Sequence, residues 1–164
     1  MPSTRESMEA LLNEMKNNPN SRFDVDYYSE KSPNPFEWKA LLEGTQGSVY
    51  EGGYYMIKII FTTNYPESRP SVYFLNRIFH PHVYIGGNIW RGTACIKPLG
   101  NNITSVLEAV ENMFIDHDAD IGHGYGEEPE QLLRDKKTGQ FEEKAKQWVR
   151  EYAKLEDIEQ YYDL

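Results

Sequence analysis

Four short strand-like runs, packed between residues 22 and 75, constrain this chain more than any other feature. "RFDVDYY" sets Phe23, Val25 and Tyr27 on one face, and "PFEWKALLEG" sets Phe36, Trp38, Ala40 and Leu42 on one face. A period of two is the mark of a half-buried strand. "YYMIKIIF" and "SVYFL" continue the series. Gly44 to Gly47 reads as a turn, and "TTNYPESRP" at residues 62–70 interrupts the ladder, since proline has no N–H to give it. Connections this short, built from turn residues, favour an antiparallel meander.

Helices flank the strands. "PSTRESMEALLNEMKNNPN" places Met8, Leu11, Leu12 and Met15 on one face, with Ser3 and Glu6 spaced as a capping box and Asn17, Asn18 and Pro19 as a stop. After residue 103, Thr104 is the expected cap of a helix carrying Val106, Leu107, Val110, Met113 and Phe114. Glu128 and Pro129 open a short helical turn. The last helix starts near Thr138, with Phe141, Ala145, Trp148, Val149, Tyr152 and Leu155 facing inward. Strands grouped ahead of helices define an α+β fold: N-terminal helix, four-stranded antiparallel meander, long active-site loop, C-terminal helices. The expected organisation is one core domain over residues 1–155. An acidic tail, 156–164, frays or lies on the surface.

With 164 residues the chain suits one domain with a real core, and twelve Tyr and seven Phe favour a sheet packed against helices. The net charge of −9 argues against bulk attraction to nucleic acid or to an anionic membrane. A single cysteine makes no internal disulfide, so a reducing compartment is expected, and no apolar run is long enough to span a bilayer. An intracellular protein, cytoplasmic and/or nuclear, follows as the expectation. "DHDADIGHGYG" gathers Asp116, His117, Asp118, Asp120 and His123, but their spacing matches no standard metal site and no metal is expected.

Residues 76–103 show no sustained period, and a loop of this length is usually functional or disordered. Its prolines, glycines and apolar residues favour an ordered functional loop. It holds His80-Pro81-His82 and the only cysteine, Cys95.

The stretch "FEWKALLEGTQGSVYEGGYYMIKIIFTTNYPESRPSVYFLNRIFHPH" resembles the ubiquitin-conjugating enzymes without a gap. It carries the strand-two Trp (Trp38), the Tyr-x-Gly-Gly turn (Tyr50, Gly52, Gly53), Tyr65-Pro66 and the His-Pro of the active loop. "FEEKAKQWVREYA" is similar to the family's last long helix. The family usually reads His-Pro-Asn where this chain reads His-Pro-His. His-Pro-His followed by Val-Tyr resembles the branch that modifies protein N-termini.

The resemblance leaves the nucleophile open between two alignments. Without a gap, the tenth residue after His80, following Gly87-Asn88-Ile89, is Trp90; the domain is then a non-catalytic variant that binds ubiquitin or a partner. With about five residues inserted, "GTACIKPL" fits the family's pattern around its cysteine, and Cys95 is the nucleophile. The second alignment matches the residues beside the thiol and is preferred. A thiol suits this chemistry because thioester exchange between thiols is nearly isoenergetic, with the thiolate attacking. Arg91, Lys97 and His82 are the candidates for an electropositive setting.

In this reading the resemblance implies that His82 occupies the place of an oxyanion donor. Asn88, Asn101 and Asn102 are alternative donors or loop supports, and His80 and Pro81 brace the turn. Glu128, with Glu127 second, stands where the family has an acidic residue beside the incoming amine. For each residue a structural role competes: Cys95 as an inert half-buried thiol, His82 as a loop histidine.

The implied partners are ubiquitin or a relative of it, an activating enzyme, a protein substrate, and an atypical ligase or none. No cofactor is implied, since ATP is used only by the activating enzyme. The first helix is less basic than the family's, with Arg5 and Lys16 against Glu6, Glu9 and Glu14. Glu67 replaces an aromatic ligase contact, and the family's Trp-Ser-Pro stretch is missing after Cys95.

Overall fold

The computed structural model describes residues 2–85, 92–117 and 127–164. Helix α1 (Arg5–Asn17) opens the chain, followed by β1 (Asp24–Tyr27), β2 (Glu37–Glu43), β3 (Tyr54–Ile60) and β4 (Ser71–Phe74). A hairpin of β5 (Val83–Ile85) and β6 (Gly92–Ala94) comes next, then α2 (Ile103–Asn112), α3 (Glu128–Arg134), α4 (Thr138–Tyr152) and the short α5 (Leu155–Ile158). The α+β order is as expected, but the sheet has six strands rather than four, in the order β1-β2-β3-β4-β6-β5. Every described pairing is antiparallel. The two additional strands lie inside the segment read as loop. Each has three residues, too few to display a period, and β6 is held by its pairing with β4, Tyr73 to Thr93 and Phe74 to Gly92.

Register explains the core. Trp38 stands opposite Ile59, Ala40 opposite Ile57 and Leu42 opposite Tyr55, so the inward residues of β2 and β3 form one apolar face. Met8 and Leu12 of α1, Val106, Leu107 and Val110 of α2, and Phe141 and Ala145 of α4 belong to the same core. Burial of each large aliphatic or aromatic side chain contributes roughly 1.5–3 kcal/mol. Leu155, expected to face inward, is half exposed, because α4 ends at Tyr152 and the chain turns before α5.

The caps differ from expectation by one or two residues. Thr4, not Ser3, caps α1 and shares a box with Ser7, while Ser3 Oγ donates to the Tyr65 carbonyl. Asn102, not Thr104, caps α2 by accepting from the Ser105 N–H. Both are small polar residues suited to satisfying an orphan helix donor. The start of α2 is also pinned where the Tyr65 hydroxyl accepts the Ile103 N–H at 2.9 Å.

The acidic tail lies along the protein and does not fray. Ile158 is fully buried, Lys39 Nζ donates to the Tyr161 carbonyl at 2.7 Å, and the Tyr161 hydroxyl donates to the Leu75 carbonyl at 2.8 Å. Lys39 belongs to β2 on the side opposite Trp38 and Ala40, so the tail covers part of the outer sheet face. None of the described helices is long and apolar enough to cross a membrane.

Candidate active site

The β5–β6 hairpin decides which residues meet. Val83 pairs with Ala94, Tyr84 with Thr93 and Ile85 with Gly92. One step beyond the Val83–Ala94 pair, at the base of the hairpin, the Cys95 N–H donates to the His82 carbonyl at 2.8 Å. Cys95, half-buried, therefore lies across the ladder from the third residue of His-Pro-His, thirteen residues after it in the chain. Asn88, Trp90 and Arg91 lie outside the described residues. Lys97, the third electropositive candidate with His82, is exposed two residues beyond Cys95.

The His-Pro-His turn is braced from beneath. His80 is 1% exposed. The His82 N–H donates to His80 Nδ1 at 3.0 Å, so that nitrogen carries no proton; His80 Nε2 then donates to the Met113 carbonyl at 2.6 Å. Burial holds the imidazole well below its usual pKa, and the nearby His82 and His117 rings push it the same way, against the bond to Met113. His80 is a neutral structural clamp between the turn and the C-terminus of α2. Pro81 and His82 are both buried.

A residue that sequence reading treated only as a family marker completes the brace. Tyr50 is fully buried, its ring stacks on His80 at 5.5 Å and 24°, and its hydroxyl donates to the Phe79 carbonyl at 2.7 Å. Burial, with Tyr55 nearby, pushes its phenol well above the usual range, so it remains a donor. Its neighbourhood with His80 is set by two distant turns meeting, which no local period reveals.

The remaining candidates have defined places. Glu128 is exposed at the start of α3, and both its oxygens sit 2.7 Å from Lys144 Nζ of α4. Glu127 and Glu128 join Phe79, His80, Val83 and Trp148 in lining a cavity of about 340 Å³ beside the turn. Asn101 Nδ2 donates to the Glu67 carbonyl at 2.8 Å, tying the segment after Cys95 to the turn before β4, and Asn102 is spent on capping α2. Both support loops, and neither reaches Cys95 through these bonds. Leu99, between Cys95 and Asn101, is fully exposed. His117 stacks on Phe141 at 5.0 Å. Among the described residues, no group of three or more His, Cys, Asp or Glu is arranged to hold a metal ion; Asp118, Asp120 and His123 lie outside them.

An antiparallel sheet between one leading helix and several trailing ones, with a braced His-Pro turn across the ladder from Cys95, defines an α+β domain with a candidate site at that turn. The family model described as ubiquitin-conjugating enzyme matches residues 5–149, and the chain belongs to that family. It is 30% identical over 93 residues to "Ubiquitin-conjugating enzyme E2 3" of Arabidopsis thaliana, covering 53% of this chain and 59% of that protein. It is 32% identical over 91 residues to "Ubiquitin-conjugating enzyme E2 15" of Schizosaccharomyces pombe, covering 54% and 53%. It is 34% identical over 82 residues to "Ubiquitin-conjugating enzyme E2 13" of Arabidopsis thaliana, covering 50% and 48%. The chain spans about half the length of these curated relatives.

Proposed function

We propose that the protein accepts ubiquitin or a ubiquitin-like modifier from an activating enzyme as a thioester on Cys95 and passes it to a substrate amine. The observation that carries this reading is the backbone bond from Cys95 to His82, which joins the only cysteine to the last residue of the His-Pro-His turn. In the first step the Cys95 thiolate attacks the donor thioester and the donor's thiolate leaves. In the second an amine attacks the Cys95 thioester, through a tetrahedral oxyanion, and the Cys95 thiolate is released. His82 follows the braced turn and is the proposed oxyanion donor; one such donor typically contributes ~10²–10³ in rate. Glu128 is the proposed acidic neighbour of the incoming amine, with its charge shared with Lys144. No cofactor is needed, because ATP is spent upstream.

The partner surfaces depart from the family's usual chemistry. The two cations of α1 are already paired, Arg5 with Glu9 at 3.3 Å and Lys16 with Asp26 at 2.9 Å. This favours an activating enzyme that does not rely on a basic first helix. At the ligase-type surface, Glu67 stands beside the Asn101 tether and Leu99 is the exposed apolar residue. An atypical ligase, or none, fits that surface.

The test is incubation with activating enzyme, ATP and ubiquitin, read as an adduct that thiol reductant removes. The adduct is expected with the parent chain and absent from Cys95→Ala, while Cys95→Lys forms a reductant-stable isopeptide. An adduct that persists in Cys95→Ala, or none with any activating enzyme and modifier tried, leaves the non-catalytic binding module with Trp90 in the nucleophile's place.

A further inference from the structure

The Tyr-x-Gly-Gly turn and the His-Pro-His turn, thirty residues apart, meet at one side chain. The first turn is closed by the Gly44 N–H donating to the Gly53 carbonyl at 2.8 Å and the Gly53 N–H donating to the Tyr50 carbonyl at 3.0 Å. A Cβ at Gly44 would stand 1.8 Å from the Tyr50 carbonyl oxygen, and Gly52 has φ +83°, so glycine is required at both positions. The result fixes the backbone of Tyr50 and aims its ring under the second turn. There the ring lies nearly parallel to His80, and the hydroxyl holds the Phe79 carbonyl.

From that point a ring stack and two hydrogen bonds lead to Cys95. Tyr50 contacts His80 and Phe79; His80 Nδ1 accepts from the His82 N–H; the His82 carbonyl accepts from the Cys95 N–H. Tyr55, a neighbouring buried tyrosine 6.5 Å from Tyr50, contacts the same aromatic cluster through Phe74 and Phe114.

We propose that Tyr50 is a positioning residue for the candidate active site: its hydroxyl and ring fix the His80 turn, and through the His82 backbone they fix the strand position of Cys95. The role in catalysis rests on the thioester reading above; the role in placing the hairpin does not.

The experiment compares Tyr50→Phe with Tyr55→Phe in the full chain. Each loses one buried hydroxyl from the same cluster, and the Phe ring keeps the packing. Site-resolved amide hydrogen exchange is measured without any modifier present. In Tyr50→Phe the His82 and Cys95 amides should exchange about tenfold faster, with Ile57 and Ile59 of β3 unchanged. Tyr55→Phe should leave the His82 and Cys95 amides at the parent's rate. Uniform acceleration of all these amides, no acceleration, or the same selective change in Tyr55→Phe overturns the proposal. Single-turnover adduct formation on the same proteins gives the second readout, with a fall of about threefold to tenfold expected for Tyr50→Phe alone. If no variant, nor the parent, forms an adduct while the selective exchange holds, the thioester reading fails and the positioning of the hairpin stands.

Discussion

The Cys95 N–H and the His82 carbonyl meet at 2.8 Å, one step past the Val83–Ala94 pair of the β5–β6 ladder. The bond uses only backbone atoms. His82 therefore contributes in two separable ways, by its carbonyl to the position of Cys95 and by its imidazole to the chemistry proposed there.

That separation gives the first expectation. His82→Ala keeps the carbonyl and so should charge within about threefold of the parent, while discharge to an amine falls about 10²-fold. His82→Asn, with an amide donor, should recover part of the loss. Single-turnover charging and discharge are the measurements. Equal loss in both steps would count against an oxyanion role for the imidazole.

His80 sets a pH dependence of stability. Its folded pKa is depressed, chiefly by burial, so below the unfolded value of about 6.5 the unfolded chain binds the extra proton. The contribution is fully present above that value and is lost as pH falls from it toward the folded pKa, by at most ~1.4 kcal/mol per pH unit. Urea unfolding at several pH values between 7.5 and 5 reads the slope. His80→Gln should be less stable at pH 7.5 and should lose the part of the slope due to this ring. A variant with the parent's slope would assign the proton uptake to another group.

Asn76 ties three backbone groups together through one amide. Its Oδ1 accepts from the Met56 N–H at 3.0 Å, and its Nδ2 donates to the carbonyls of Tyr54 at 2.9 Å and Tyr152 at 3.0 Å. It is buried and links β3 to the end of α4. Asn76→Ala should cost about 2–4 kcal/mol in urea unfolding with an unchanged m-value, since buried partners are left unmet. Asn76→Asp sets a carboxylate oxygen against two carbonyls, which raises the carboxyl's folded pKa. Its deficit should shrink as pH is lowered and the carboxyl protonates. A deficit that does not change with pH would mean that the carboxylate has turned away.

The tail offers a stability test. Ile158→Ala removes a fully buried side chain and should cost about 2–4 kcal/mol, whereas a frayed tail would give a change within ~0.5 kcal/mol. Tyr161→Phe, which loses only the bond to Leu75, should cost about 1 kcal/mol. Denaturant midpoints distinguish the two outcomes.

These features differ in how visible they are in the chain itself. The alternation of Phe36, Trp38, Ala40 and Leu42 announces β2, and the helical spacing of Met8 and Leu12 announces α1, because each period is set by backbone geometry within a few residues. The grouping of strands before helices then fixes the α+β class. The His-Pro turn and Cys95 are legible as types of residue, and their adjacency is expected only through the family resemblance, not from any local period.

The sequence by itself determined the class of fold and the leading strands and helices, and it nominated the few residues proposed to bear chemistry. Tertiary structure alone decided that Gly92-Thr93-Ala94 becomes a strand, since three residues with no period are ordered by pairing with β4. It decided that Tyr50 lies under His80 and that Ile158 buries an otherwise acidic tail. Local periodicity is written in near neighbours, whereas these contacts join residues far apart in the chain and take shape only when separate elements pack together.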